Sequence, residues 1–91
     1  MSNTKTQLNW DTEAKRKYEE MIRKIPLFHR EIAKQVVDKQ AVINAQERGA
    51  SQVEESDVVR AFLSEVPNTF FSLMIRLFEE VGFEYKEHLP K

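Results

Sequence analysis

Apolar residues recur at spacings of three and four along most of this chain, which is the pattern of helices with one buried face. Proline and glycine interrupt the pattern and divide it into four runs. The runs predict helices over about 12–24, 26–48, 55–66 and 67–81. A short extended link is predicted over 50–53. The sequence therefore predicts an all-α fold, a small four-helix domain with a long central second helix.

The second predicted helix is long for a small domain, and its apolar residues cover a broad face. A helix of this kind is expected to lie at the centre of the fold with that face buried. The residues expected to be buried are Phe28, Ile32, Ala33, Val36, Val37, Ala41, Ile43 and Ala45.

The fourth predicted helix is apolar around most of its circumference. A small domain rarely covers two faces of a peripheral helix, so this helix is either central or meets another chain. In the second case its spare side is a protein interface. The residues predicted for that interface are Phe70, Phe71, Met74, Ile75 and Phe78.

The helix ends carry characteristic residues. Gly49 and Gly82 each follow a periodic run, where a left-handed residue closes a helix and glycine is least strained. Pro26 and Pro67 open helices, where the missing N–H costs little. Asp11 is a good N-cap for the first helix. These residues support the four predicted helices.

Two further local features follow from residue type. Glu54 is a poor N-cap for the third helix, and Glu55, Ser56 and Asp57 compensate by placing oxygen acceptors and negative charge near the exposed N–H groups. The C-terminal tail carries Phe83 and Tyr85, which can fold back over the core.

The length of 91 residues allows one domain. We expect residues 1–9 to form a flexible N-terminal segment and residues 10–91 a single helical domain. Met1 to Gln7 is polar and does not resemble a secretory signal, and no apolar run has the length of a membrane span. The chain has no cysteine, which fits a reducing compartment. These features predict a cytoplasmic protein without a membrane segment.

The charges are unevenly distributed although the formal net charge is −1. Residues 1–50 hold ten lysines and arginines against seven acids, and residues 51–91 hold four against eight. Such asymmetry can orient a partner or a second copy of the chain, or it can leave two solvated faces. Because the basic residues are interleaved with acids, the charge pattern argues against nucleic-acid binding.

The sequence offers little catalytic chemistry. His29 and His88 are the two histidines, so a metal site without cysteine would need both of them together with carboxylates. Adjacent glutamates diverge by about 100° on a helix and do not form an acid–base pair. Both glycines are assigned to helix ends, which leaves none for a phosphate-binding loop. No catalytic residue, metal ligand or cofactor is predicted.

A proline joint connects the first two predicted helices. Pro26 fixes its own φ and biases Ile25 away from the helical region, so the chain must turn there. Ile25 and Phe28 can flank the corner. Arg30 can brace the corner by reaching the carbonyls that end the first helix, or it can bind an anion or an acidic partner together with His29.

The chain resembles a known module in residues that occur in the same order: Trp10, Glu13-Ala14, Ile25-Pro26-Leu27-Phe28-His29-Arg30, Arg48-Gly49, Val53, Asp57-Val58 and Ala61. Over about residues 9–62 it is similar to the small helical domain at the C-terminus of the B subunit of light-independent protochlorophyllide reductase, which also occurs as freestanding proteins. The residues that carry the family motif are Trp10, Pro26, Phe28, His29 and Arg30.

The parent enzyme of that family reduces a ring double bond of a pigment precursor with the help of an ATP-driven iron–sulfur partner. The resemblance implies a relative of an accessory module, because this chain lacks the large nitrogenase-like part and has no cluster-ligating cysteine. A second similarity, from Gly49 to Ala61, is to half of a histone-type fold, which would imply paired chains and a nucleic-acid partner.

Our leading interpretation is a noncatalytic protein-interaction module that self-associates or docks on a larger complex through the fourth helix, with no enzymatic activity alone. Two alternatives stay open. One is a tetrapyrrole-binding accessory subunit of a light-independent protochlorophyllide reductase-like oxidoreductase. The other is a histone-like nucleic-acid binder.

Overall fold

Four α-helices form most of the molecule in a computed structural model that describes residues 8–89. The helices are α1 (Thr12–Lys24), α2 (Leu27–Glu47), α3 (Glu55–Glu65) and α4 (Phe71–Val81). Two short strands, β1 (Asn9–Trp10) and β2 (Gln52–Val53), and two 3₁₀ turns, Asn68–Phe70 and Lys86–His88, complete the fold. The predicted all-α class and the long second helix are confirmed.

The helix boundaries lie close to the predicted ones. Pro26 is the residue before α2 and not its first helical residue, because its ψ of 141° is extended. The fourth helix opens with the 3₁₀ turn Asn68–Phe70 before it becomes α-helical. The prediction of flexibility over residues 1–9 falls largely on residues 1–7, which lie outside the described part of the chain. Asn9 lies in β1.

Both glycines close helices as the sequence predicts. Gly49 has a φ of +73° and Gly82 a φ of +94°, in the left-handed region that strains other residues. After α2, the N–H of Ala50 donates to the carbonyl of Ala45, five residues earlier in the chain, at 2.9 Å. After α4, the N–H groups of Gly82 and Phe83 both donate to the same carbonyl oxygen at 2.9 Å. These bonds satisfy carbonyls that a helix end leaves free.

A parallel pair of strands ties the N-terminal entry to the link between α2 and α3. Asn9 pairs with Gln52 and Trp10 with Val53. Asp11 continues the pairing, since its N–H donates to the carbonyl of Val53 at 2.8 Å. Its carboxylate also accepts from the N–H of Ala14 at 3.0 Å, which confirms the predicted N-cap. The start of α1 is therefore fixed to the start of α3.

The core is built from small residues of α2 and large residues of the other helices. Along α2 the buried apolar side chains are Ala33, Val37, Ala41 and Ala45. Phe62 of α3 and Phe78 of α4 are fully buried, and their ring centroids lie 6.0 Å apart. Small residues on α2 allow α3 to pack closely against it.

The C-terminal tail folds back over this core, as its aromatic residues suggest. Phe83 and Tyr85 are both buried. Their ring centroids lie 6.0 Å and 5.6 Å from that of Phe78. The hydroxyl of Tyr85 donates to the carboxylate of Glu79, which gives its buried polar atom a partner. The tail thereby covers one side of α4.

The predicted buried face of α2 is wrong in part. Phe28 and Ile32 are exposed, and Val36 and Ile43 are half-buried. The physical reason is that α3 packs on the small-residue side of α2, about a quarter turn or more away from these side chains. Phe28 and Ile32 therefore point away from the core, while Val36 packs at its edge.

Candidate functional site

The corner between α1 and α2 is an extended two-residue joint. Ile25 has a ψ of 138°, the extended conformation that a following proline favours, and Pro26, whose ring fixes its φ at −52°, has a ψ of 141°. Ile25 is buried under the corner. The chain then enters α2 with His29 N–H donating to the carbonyl of Pro26 at 2.9 Å. This joint determines which side chains the first turns of α2 present outward.

Arg30 braces this corner. Its Nε donates to the carbonyl of Ile25 at 3.2 Å, and its Nη2 donates to the carbonyls of Arg23 and Ile25 at 2.9 and 3.0 Å. A guanidinium at these carbonyls satisfies acceptors that the end of α1 leaves free. Of the two roles that the sequence allowed for Arg30, the structure places it in the bracing one.

Three large apolar side chains at the start of α2 are exposed. Leu27 is 75% exposed, Phe28 92% and Ile32 66%, and these are the exposed large hydrophobic residues among residues 8–89. Phe28 and Ile32 are four residues apart and so lie one above the other on the helix surface. We refer to these three residues as the joint face.

A narrow apolar groove of about 140 Å³ borders the joint face. It runs between the start of α2, the end of α3 and the start of α4. Its lining residues are Ile25, Pro26, His29, Ile32, Ala33, Val36, Glu65, Val66, Pro67, Phe70, Leu73 and Met74. Of these, one is acidic, Glu65, and none is a lysine or arginine. We refer to this feature as the joint groove.

The residues predicted for an interface on α4 are divided by the structure. Met74 and Phe78 lie in the protein's own core, and of the two only Met74 reaches the lining of the joint groove. Phe70, Phe71 and Ile75 are half-buried. Phe70 borders the joint groove, where its ring centroid lies 5.3 Å from that of His29. The uncovered apolar surface therefore lies mainly on α2 and reaches α4 only at its beginning.

The family-motif residues do not converge on one site. Pro26 and His29 line the joint groove, Phe28 projects beside it, and Arg30 is bound to the end of α1. Trp10 is in different surroundings, since its ring packs 5.2 Å from that of Tyr18 between α1 and α2. Within the motif, Trp10 therefore packs against Tyr18, whereas the other four residues lie at the proline joint.

Two shallow depressions flank Trp10, with volumes of about 750 and 410 Å³. Both are lined by Trp10, Lys34 and Asp38. Burial raises the pKa of the Asp38 carboxyl above its ordinary value, and burial likewise raises the pKa of the Tyr18 hydroxyl, which donates to the carbonyl of Lys34 at 3.1 Å. Cations and anions alternate along both depressions, so their charge selects no ligand.

A buried ion pair connects the end of α2 to the start of α3. Asp57 is fully buried, and its two carboxylate oxygens accept from Arg48 Nε at 2.8 Å and Nη2 at 2.7 Å. The second oxygen also accepts from the N–H of Glu54 at 2.9 Å, which compensates for the poor N-cap as predicted. Burial acts to raise the pKa of Asp57, but these hydrogen bonds and the nearby positive charges together hold it below its ordinary value.

The sequence reasoning identified Asp57 as a helix-start acid and missed its partner Arg48. The signal was available in part, because both residues occur in the sequence that carries the family resemblance. Both carboxylate oxygens of Asp57 have partners within the chain, so the pair fixes the α2–α3 corner and leaves no free carboxylate oxygen for chemistry.

Within residues 8–89, no group of three or more His, Asp or Glu side chains is placed to hold a metal ion. Across the same residues, no helix combines the length and apolar character that a membrane crossing requires.

These features define a small all-α domain with an exposed apolar face and groove at one corner. Comparison with family models, with curated proteins and with solved structures finds no match to the chain. The similarity to the protochlorophyllide reductase module therefore stays a hypothesis.

Proposed function

We propose that this chain is a noncatalytic protein-interaction module that binds its partner through the joint face and joint groove. The exposure of Phe28 carries the proposal. Covering a Phe, Leu or Ile side chain gains roughly 1.5–3 kcal/mol each, so Leu27, Phe28 and Ile32 together represent a binding energy of several kcal/mol that the isolated chain does not use. Exposed apolar side chains grouped at one corner of a small protein often mark an interaction site.

The shape and charge of this surface favour a protein partner. Pockets for small ligands usually enclose about 300 Å³ or more, and the joint groove holds about 140 Å³. Helices that lie on membranes carry lysines and arginines around their apolar face, and no such residue lines this groove. An apolar centre with few charges is typical of the core of a protein–protein interface.

The resemblance to the protochlorophyllide reductase module supports the noncatalytic part of this proposal, because it is to an accessory module and not to the catalytic part of an enzyme. The tetrapyrrole-binding alternative has weaker support. The joint groove is too small for a macrocycle, and the larger depressions beside Trp10 are open and lined by residues of both charges, among them Lys34 and Asp38.

Sedimentation velocity of wild-type protein and of two variants tests the proposal. Phe28→Ser should weaken the association, whether with itself or with a stoichiometric partner, by at least tenfold, because it removes the most exposed apolar side chain of the joint face. Gln46→Ala is the matched control, since Gln46 is exposed near the other end of α2.

Circular dichroism should show that both variants keep the wild-type helix content. A strictly monomeric wild type at several hundred micromolar, with no stoichiometric partner in its source extract, would contradict the proposal. So would a Phe28→Ser variant that associates as tightly as wild type.

A further inference from the structure

We propose that the partner is a second copy of this chain, and that Phe28 of each copy occupies the joint groove of the other. This inference rests on the proposed function and adds the identity of the occupant. It follows from four observations on the joint face and joint groove: the size of the groove, its position relative to Phe28, the area available and the distribution of charge.

The groove has the size of an aromatic ring. An apolar cavity of about 150 Å³ lined by aliphatic and aromatic side chains is large enough to bind benzene. The joint groove holds about 140 Å³ and has a lining of the same character, including Val36, Phe70 and Leu73. Phe28 is 92% exposed and so leaves its own groove unfilled. A phenyl ring from another molecule fits the space.

The position of Phe28 allows the contact to be reciprocal. Phe28 is adjacent in sequence to His29 and four residues from Ile32, both of which line the groove. A projecting ring and a receiving groove on the same corner form a self-complementary surface, which a two-fold axis can bring together. Each copy then inserts its Phe28 ring into the partner's groove and receives the partner's ring in its own. The result is a closed dimer and not an open chain of molecules.

The area available is compatible with a specific dimer. A covered Phe side chain buries roughly 150–250 Å². With Ile32, which is 66% exposed on the same side of α2, the joint face offers on the order of a few hundred Å² per copy, the range in which surface patches mark interaction sites, while Leu27 lies about 100° around the helix at its edge. Adding the groove and counting both copies brings the total towards the ~1,000 Å² that a specific interface requires.

The charge distribution favours the same arrangement. The joint face belongs to residues 1–50, in which lysines and arginines exceed acids by three, and the groove's outer wall belongs to residues 51–91, in which acids exceed them by four. That wall contains Glu65, the acidic residue of the groove. Docking the start of α2 against the α3–α4 corner of a second copy therefore buries few charges, since Glu65 is the one acidic residue of the groove lining and no lysine or arginine lines it.

Disulfide trapping between two different single-cysteine proteins tests this arrangement, because the chain has no cysteine of its own. Phe28→Cys places a thiol at the joint face, and Leu73→Cys places one in the groove. In the mixed dimer one native Phe28 still fills one native groove, and the two thiols meet at the other. Under mild oxidation the mixed disulfide should form at least tenfold faster than with Ser72→Cys, an exposed neighbour outside the groove lining.

Pro67→Cys, on the exposed rim of the groove, replaces Leu73→Cys if that variant melts early by circular dichroism. Wild-type dimers combined with equal trapping rates for Leu73→Cys and Ser72→Cys would overturn the reciprocal arrangement and leave the proposed function standing. A wild-type monomer that forms a stoichiometric complex with a different protein would also overturn the reciprocal dimer and leave the proposed function standing. A monomer with no partner at all would overturn both.

Discussion

Replacing Asp57 with alanine should lower the free energy of unfolding by about 3 kcal/mol, towards the lower end of the range for breaking a buried ion pair. The substitution leaves the guanidinium of Arg48 and the N–H of Glu54 without their acceptor. Because the Arg48 side chain is 41% exposed, water can solvate part of the orphaned charge. Urea unfolding followed by circular dichroism measures the loss.

Glu13→Ala is the matched control for this experiment. It breaks the ion pair between Glu13 and Arg16, which has the same 2.7 Å distance but side chains more than half exposed. Exposed pairs contribute about 0–1 kcal/mol, so this variant should unfold close to wild type. If Asp57→Ala lowered the free energy of unfolding no more than Glu13→Ala does, the conclusion that the Arg48–Asp57 pair fixes the α2–α3 corner would be wrong.

The same pair predicts a pH dependence with a definite sign. The folded-state pKa of Asp57 lies below its value in the unfolded chain, so its carboxylate stabilises the fold at full strength above the unfolded pKa, near 4. That contribution is lost as the pH falls through the folded-state pKa. Asp57→Asn cannot titrate, so below about pH 4 its stability should fall less steeply on acidification than that of wild type. Parallel acid dependences in the two proteins would contradict the pair's role.

Replacing Phe78 with alanine should destabilise the protein by about 3–5 kcal/mol, as expected when a fully buried aromatic side chain is removed from a core. Its ring packs against those of Phe62, Phe83 and Tyr85. The variant should therefore lose both the core contact of α4 and the docking of the tail. Thermal and urea unfolding at low protein concentration give the size of the effect.

Phe28→Ala is the matched comparison, because it makes the same chemical change at an exposed position. In the monomer it should change stability by no more than about 0.5 kcal/mol. Comparing Phe78→Ala with Phe28→Ala distinguishes a core phenylalanine from a surface one, which the sequence alone could not do. Equal destabilisation by the two substitutions would contradict the division between core and surface described above.

The sequence predicted the helices well because their limits depend on local residues. Gly49 and Gly82 adopt left-handed conformations, and Asp11 caps the first helix through a side chain three residues from its donor. Pro26 enforces the corner through its own ring geometry. Such interactions act within one or two helical turns, so the sequence around each site is sufficient to predict them.

The candidate site could not be predicted in the same way, because it depends on which side of α2 faces α3. Both sides carry apolar residues, and the larger ones, Phe28 and Ile32, suggested the wrong side. The small residues, among them Ala33 and Ala41, lie on the packed side, where close approach of α3 requires them. Their regular spacing was a usable signal, but it competes with the ordinary preference to bury the largest side chains.

Longer-range contacts left no pattern that could be read from one sequence. Strands β1 and β2 have two residues each, too few for an alternating pattern, and they pair across more than forty positions. Arg48 directly follows α2 and Asp57 lies nine residues later in α3, and each alone reads as an ordinary surface charge. The structure shows that the two strands pair and that the two charged residues form an ion pair.

Hydroxyl-radical footprinting of Phe28 in the purified chain is the most direct test of the central claim, that the joint face is covered by a second copy. Between about 1 and 500 μM protein, oxidation of Phe28 should fall several-fold as its ring is buried, while oxidation of His88, in the C-terminal tail, stays constant. Unchanged reactivity of Phe28 across that range, with the ring as accessible at high concentration as at low, would contradict it.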